Sequence, residues 1–553
     1  MFGIVAVAVT CLCHVQASFG SPTVKAPTVQ LDRGTFTGVN TGNVSRFLGI
    51  PYAKPPVGNL RFQRPVAHPS YHGHYNATAF GPSCIQQNTA IEVPYNVSPT
   101  ALQVIDGFFG TNTTNPPIND GEDCLTVNVI KPAGIPAHTK LPVAVWIYGG
   151  GFEGGASNDP SEDGGAIVQR SLDLGHPLIY VSLNYRLSAL GFLPGKEVKE
   201  AKVGNLGLRD QREALRWVQK YIAAFGGDPK KVTIWGLSAG AISVALQMVT
   251  NGGHNEGLFR AGFMQSGSPV PVGSITALQP VYDAFVANAG CSHSHDTLQC
   301  LREVPVAKIR AAINASPSIF SYDSLVLAWG PGADGDFLKD DPQQLVLQGS
   351  VSSVPFVTGD CDDEGTLFSL SNANITTDAE VESYLSEFYI RNLPNPSAIE
   401  KLLKLYPSDP TQGSPFDTGL QDAITPQFKR LAAIQGDIVF QAPRRFFLEQ
   451  RSHKQPTWSY LYKRGKNNTV LGAYHGTDIQ SVYHGADLGD YFIRFVTTLN
   501  PNGKTGIPWP KYTTSSPQLL TLLDGSTPLV ITNDTYRAAG FKYLTQLSLE
   551  DPF

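Results

Sequence analysis

The sequence predicts an α/β protein, a mostly parallel central sheet flanked by helices and carrying large helical insertions. Three observations predict it. Short β-branched runs alternate with helical patterns through the first half, as crossover connections between parallel strands require. With 42% apolar and 16% charged residues among 553, the chain can bury a large core. No Ser/Gly-rich linker, repeat or charge block divides it, so residues 18–553 are expected to form one large domain with insertions.

The apolar run from Phe2 to Cys13 ends in Val15-Gln16-Ala17, which fits the small-residue cleavage rule of a secretory signal over residues 1–17. No Lys or Arg precedes that run, and a buried N-terminal strand is the competing reading. No stretch reaches the ~18 apolar residues of a membrane helix, so a secreted protein without a transmembrane anchor is expected. Sequons at Asn43, Asn76, Asn96, Asn112, Asn314, Asn374, Asn467 and Asn533 fit a glycosylated extracellular chain. A net charge of -5 offers no basic footprint for nucleic acid, which leaves a neutral or apolar small molecule as the expected partner.

Five cysteines follow the leader. In an oxidising compartment the simplest connectivity pairs Cys84 with Cys124 and Cys291 with Cys300, leaving Cys361 as a buried free thiol. His293 and His295 lie inside the second pair, where a small disulfide loop is favoured over a metal site.

Strands are expected at Val143–Ile147, Leu178–Leu183, Val232–Trp235 and Ala261–Gln265. Ala214, Leu215, Val218, Tyr221, Ile222 and Phe225 recur at helical spacing, with Asp210, Arg212, Glu213, Arg216 and Lys220 between them. After about residue 270 the strands thin out, with Val354–Thr358 and Trp458–Tyr462 the remaining candidates.

Gly236-Leu-Ser238-Ala-Gly240 follows a strand and opens an apolar-faced helix containing Ile242, Ala245, Leu246 and Val249. That context marks Ser238 as a nucleophile exposed at a tight turn, where side chains at the flanking glycines would collide with strand and helix. Gly149-Gly150-Gly151 follows the strand ending at Ile147, where backbone N–H groups can face such a nucleophile. Gly150, Gly151 and Ala239 are therefore the expected oxyanion donors.

On these residues, together with Phe47-Leu-Gly-Ile-Pro-Tyr-Ala-Lys-Pro-Pro56, Glu122–Asn128, Asn184-Tyr-Arg186, Gly204–Gln211, Asp363-Glu-Gly-Thr366 and Tyr474-His475, the chain resembles the type-B carboxylesterase/lipase family. The resemblance covers nearly all of the sequence after the leader. It implies the α/β-hydrolase fold, secreted serine ester hydrolysis through an acyl-enzyme, an acid at Glu364, a base at His475, and no metal or organic cofactor. It also implies the same two disulfide pairs. By chemistry alone Glu364, among Asp360, Asp362 and Asp363, reads as part of a solvated acidic loop, and His484 competes with His475.

Leu237 stands where most of the family has Glu, and the 84–124 loop has no Trp, so a cationic choline ester is disfavoured. Neutral, lipid-like esters are expected instead, with transient contact to a lipid interface. The same loop carries Ala101, Leu102, Val104, Ile105, Phe108 and Phe109, an apolar cluster that is either a mobile lid or an ordinary packed insertion. The competing function is a non-catalytic, cholinesterase-like adhesion protein, against which intact Ser238, Glu364 and His475 argue.

Overall fold

A computed structural model describes residues 26–91, 98–109, 119–391, 396–467, 469–485 and 487–553. The leader expected over 1–17 lies outside them. Among the described residues, β1 (Val39–Thr41), β2 (Val44–Pro51), β3 (Thr126–Pro132), β4 (Leu141–Ile147), β5 (Ile179–Leu183), β6 (Gly227–Leu237), β7 (Ala261–Gln265), β8 (Phe356–Cys361), β9 (Thr457–Tyr462), β10 (Gln518–Leu522) and β11 (Leu529–Asn533) form one sheet. Their spatial order is β11-β10-β9-β8-β7-β6-β4-β5-β3-β2-β1. Strands β4 to β10 run parallel, and β1, β2, β3 and β11 add antiparallel edges. The fold is therefore the mostly parallel α/β sheet expected.

Burial explains the strand sequences. Val143 to Ile147 are wholly inaccessible, as are Val232, Ile234 and Trp235, because helices cover both faces of a parallel sheet and each strand becomes a continuous apolar run. Trp146 and Trp235 sit in register on neighbouring strands with ring centroids 4.2 Å apart. The chain leaves β4 for β5 on one side and returns to β6 on the other. That reversal opens a crevice at the carboxyl ends of β4 and β6, the place where such sheets bind ligands.

The α-helices that bear on the site are, in order, α1 (Pro99–Phe109), α2 (Gly164–Asp173), α3 (Leu206–Tyr221), α4 (Ala239–Val249), α5 (Ile479–Tyr483) and α6 (Asp487–Thr498); short helices at Ser188–Phe192 and Lys196–Glu200, several between β7 and β9, and Ala538–Glu550 complete the set among the described residues. In α3 the apolar positions pack as expected, but Asp210 and Arg212 are buried too. Asp210 makes a bidentate pair with Arg186 at 2.8 Å, and Arg212 reaches Glu256 at 2.8 Å. Charged partners distant in sequence neutralise them.

Two expectations need correction. The strand expected at Val354–Thr358 runs from Phe356 to Cys361, beginning after Pro355, which has no N–H to give a ladder. The second half is also richer in strands than its pattern suggests: the Leu-rich β10 does not alternate, and β11 is half-exposed at the sheet edge.

Disulfides join Cys84 to Cys124 and Cys291 to Cys300, while Cys361 is free and buried. Helix α1 lies within the first loop. Its Ala101 and Ile105 are buried, Ile105 among Leu370, Phe428 and Leu471, while Leu102 is exposed and Val104 half-buried. The side chains of Phe108 and Phe109 lie outside the described residues. No helix among the described residues is long and apolar enough to cross a membrane.

Candidate active site

Ser238 occupies the sharp turn between β6 and α4, with φ 57° and ψ −126°. A residue with a side chain rarely holds that conformation, and here the turn is fixed from both sides. The Ser238 N–H donates to Gln265 O at 2.8 Å, and Ser238 O accepts from Ile242 N–H at 2.8 Å. A Cβ on Gly236 would run into the backbone of Gly240, and one on Gly240 into Ile147 O, so strand, turn and helix approach this closely only with glycine at both positions. The serine side is 8% exposed and opens on a cavity.

The glycine loop after β4 lies against this turn. A Cβ on Gly149 would stand 3.0 Å from Ser238 Cβ, and Gly150 and Gly151 take φ values of 101° and 63°. Among the described residues, the N–H groups of Gly150, Gly151 and Ala239 donate to no acceptor in the protein. Backbone donors this close to a buried centre rarely go unused, and three beside one serine form a ready anion cradle.

Ser238 follows β6, Glu364 follows β8 and His475 follows β9, so all three come after the carboxyl ends of parallel strands of one sheet, with β7 between the first two. Glu364 Oε2 accepts from His475 Nδ1 at 2.5 Å, and Oε1 accepts from the Cys361 N–H at 2.6 Å. With Nδ1 donating, Nε2 carries the lone pair; it is buried and has no partner within the protein among the described residues. The imidazole is held by ring contacts to Phe440 at 4.7 Å and Phe368 at 5.1 Å. Gly476 faces Leu237, with a Cβ there 3.8 Å from Leu237 Cδ2, which sets the loop carrying His475 beside the serine turn. His484 is exposed on the turn that ends α5.

The acidic loop around Glu364 is not solvated. Asp360, Asp362, Asp363 and Glu364 are all buried. Asp360 pairs with the equally buried Arg444 at 2.9 Å, and Lys466 contacts Asp362 at 2.6 Å and Asp363 at 2.8 Å. Burial opposes ionisation of Asp362, but Lys466 and Lys463 outweigh it and hold its carboxyl below the ordinary value.

Sequence reasoning missed a buried polar chain that links the loop carrying His475 to the strand leading into Ser238. Trp235 Nε1 donates to Gln265 Oε1 at 2.6 Å, and Gln265 Nε2 donates to Asp478 Oδ2 at 3.0 Å. Tyr460 donates to the same oxygen at 2.5 Å. Burial pushes the Asp478 carboxyl up. The available signal was Gln265 itself, a polar residue closing the apolar strand Ala261–Gln265. Among the described residues, no group of three or more His, Cys, Asp or Glu side chains could hold a metal ion.

The pattern of the carboxylesterase family matches residues 25–539. The chain belongs to that family. It is 42% identical over 542 residues to Lipase 4 of Diutina rugosa, an alignment covering 94% of this chain and 96% of that protein. It is also 42% identical over 540 residues to Secreted lipase 1 of Botryotinia fuckeliana, with 94% and 92% covered. Among solved structures, Aspergillus niger EstA matches with a TM-score of 0.78 at 28% identity, covering 95% of this chain and 99% of that one. The chain is thus an α/β-hydrolase and a carboxylic ester hydrolase, which sets aside the adhesion reading.

Proposed function

We propose that this is a secreted serine esterase acting on neutral, lipid-like esters, with Ser238 as nucleophile, His475 as general base, Glu364 as its orienting acid, and Gly150, Gly151 and Ala239 as oxyanion donors. The observation that carries it is the conjunction of Ser238 with the unengaged N–H groups of Gly150, Gly151 and Ala239, where Gly151, Ser238 and Ala239 line an apolar cavity. The reading extends to a leader at 1–17 and a single catalytic domain over 18–553; relatives named as secreted lipases support export.

His475 Nε2 takes the hydroxyl proton as Ser238 Oγ attacks the ester carbonyl, and Glu364 stabilises the imidazolium. The carbonyl oxygen becomes an oxyanion held by the three N–H groups. The imidazolium returns its proton to the leaving alcohol, and water repeats the cycle on the acyl-enzyme. Neutral substrates fit because Leu237 places no charge beside the serine.

The cavity beside Ser238, about 720 Å³ with its open mouth, is walled by Ile242, Val270, Leu278, Ile319, Leu327 and Phe440. A second space, about 870 Å³ with its own open mouth, adjoins it, and the two share Leu278, Gly330, Pro331, Arg391 and Phe553. Initial rates on p-nitrophenyl esters from acetate to palmitate test the reading; rates that do not rise beyond acetate would overturn the lipid-like substrate. Phe553 stands between the two spaces, packed edge-on against Tyr389 with ring centroids 5.3 Å apart. Phe553→Ala is therefore expected to move the preferred acyl length upward, by about fourfold in kcat/KM per extra methylene accommodated. An unchanged chain-length profile would show that this ring does not limit the site.

A further inference from the structure

Glu153 lies outside the proposed triad yet sits in the turn that carries the oxyanion donors. Its own N–H and that of Gly154 donate to Gly150 O at 3.0 and 2.9 Å, closing the turn around Gly151. Its carbonyl accepts from the Gln87 N–H at 2.9 Å and from Ser188 Oγ at 3.3 Å. The side chain is wholly buried: Oε2 accepts the Ile319 N–H at 2.8 Å, and Oε1 has no hydrogen-bond partner within the protein. Ile319 in turn packs over the donor loop, since a Cβ on Gly151 would stand 2.7 Å from its Cδ1, and both residues line the Ser238 cavity. Gln87 fastens the same segment, its Nε2 donating to Ser316 O at 2.8 Å. One carboxyl group thus joins the donor loop to the cavity wall that presses on it.

We infer that Glu153 is a positioning residue for the oxyanion loop, competent while its carboxyl is protonated and disabling when it ionises. This rests on the ester-hydrolase mechanism proposed above. The segments packed against the group, 84–88, 188–192 and 316–319, contain no charged residue, and the 149–155 loop contains none but Glu153 itself. An ionised Glu153 therefore has no cation to meet it and adds a second negative charge near the developing oxyanion. Burial pushes this carboxyl up to about 8, outweighing the opposing effect of the Ile319 N–H. Repulsion of an oxyanion acts on the transition state more than on a neutral ester, so kcat should fall while KM holds.

The test compares wild type, Glu153→Gln and Glu153→Ala by pH-stat titration of methyl butyrate hydrolysis, with melting temperature recorded alongside. Between about pH 7 and about pH 9.5, wild-type kcat is expected to drop about tenfold with KM unchanged, while Glu153→Gln, which keeps an oxygen for the Ile319 N–H but cannot ionise, stays within about twofold. Glu153→Ala, lacking the tie, should lose about tenfold or more in kcat at neutral pH. Stability follows the same sign. The folded state binds the proton up to about 8, and the unfolded carboxyl releases it near its ordinary 4.5, so wild-type stability is lost as pH rises between those values. The melting temperature of Glu153→Gln relative to wild type should therefore rise across that window. An alkaline limb in Glu153→Gln equal to that of wild type overturns the inference, whether or not the alanine variant folds. Wild-type inactivity on every ester would instead overturn the mechanism on which it rests.

Discussion

Replacing Ser238 by alanine is expected to lower kcat by about six orders of magnitude, as loss of the nucleophile does in other triads. The fold should survive. Ser238 Oγ makes no hydrogen bond within the protein among the described residues, while the ties that hold the turn run through the backbone, to Gln265 O and Ile242 N–H. Alanine keeps both, along with the close packing of Gly236 and Gly240. The oxyanion donors and the cavity also remain, so about a thousandfold acceleration over water should persist. Turnover of p-nitrophenyl butyrate, thermal unfolding, and labelling of wild type by an organophosphonate would be measured together. Full turnover by the alanine variant, or label on another serine, would reject Ser238 as the nucleophile.

The parts of this site differ in how openly the sequence displays them. The nucleophile turn is legible because local sterics dictate it. Glycine is needed where strand β6 and helix α4 close on each other, and that need leaves a pentapeptide in a recognisable context. Glu364, the proposed acid, is not legible from its own neighbourhood. Four adjacent carboxylates suggest a wet loop, and what buries them comes from far along the chain: Arg444 for Asp360, and Lys463 and Lys466 for Asp362. Only the family resemblance singles out Glu364. The link from Gln265 to Asp478 spans 213 residues, and Glu153 to Ile319 spans 166, so neither leaves a local pattern. The cavity is likewise assembled from the stretch between Val270 and Pro331, from Val439 and Phe440, and from Phe553. The parallel core strands β4 to β9 are readable because burial on both faces makes them continuously apolar. Strands β1, β2 and β3, and β10 and β11 near the end of the chain, are not, because Asn128 and Lys131 interrupt the apolar run of β3 and the others are partly exposed or suit a helix equally well.

His475→Ala should be nearly as damaging as loss of the nucleophile, by about six orders of magnitude in kcat, whereas His484→Ala should stay within about twofold of wild type. Both histidines follow a tyrosine and precede a glycine, and the sequence alone left them in competition. Their surroundings separate them. His475 hangs between Glu364 and the rings of Phe440 and Phe368, with its free nitrogen buried, and the next residue, Gly476, faces Leu237 of the serine turn; His484 is exposed at the end of α5. Glu364→Gln should lie between these extremes, at about four orders of magnitude, because an amide can hold the ring but cannot stabilise an imidazolium and can select the wrong tautomer. Activity should also fall on the acidic side, since a protonated imidazole cannot accept the serine proton, and this limb should be absent from the residual activity of His475→Ala. The pH profiles of the three variants on one short-chain ester decide the matter. If His484→Ala were inactive and His475→Ala competent, the base would have been assigned to the wrong turn, and the 2.5 Å contact to Glu364 would be structural only.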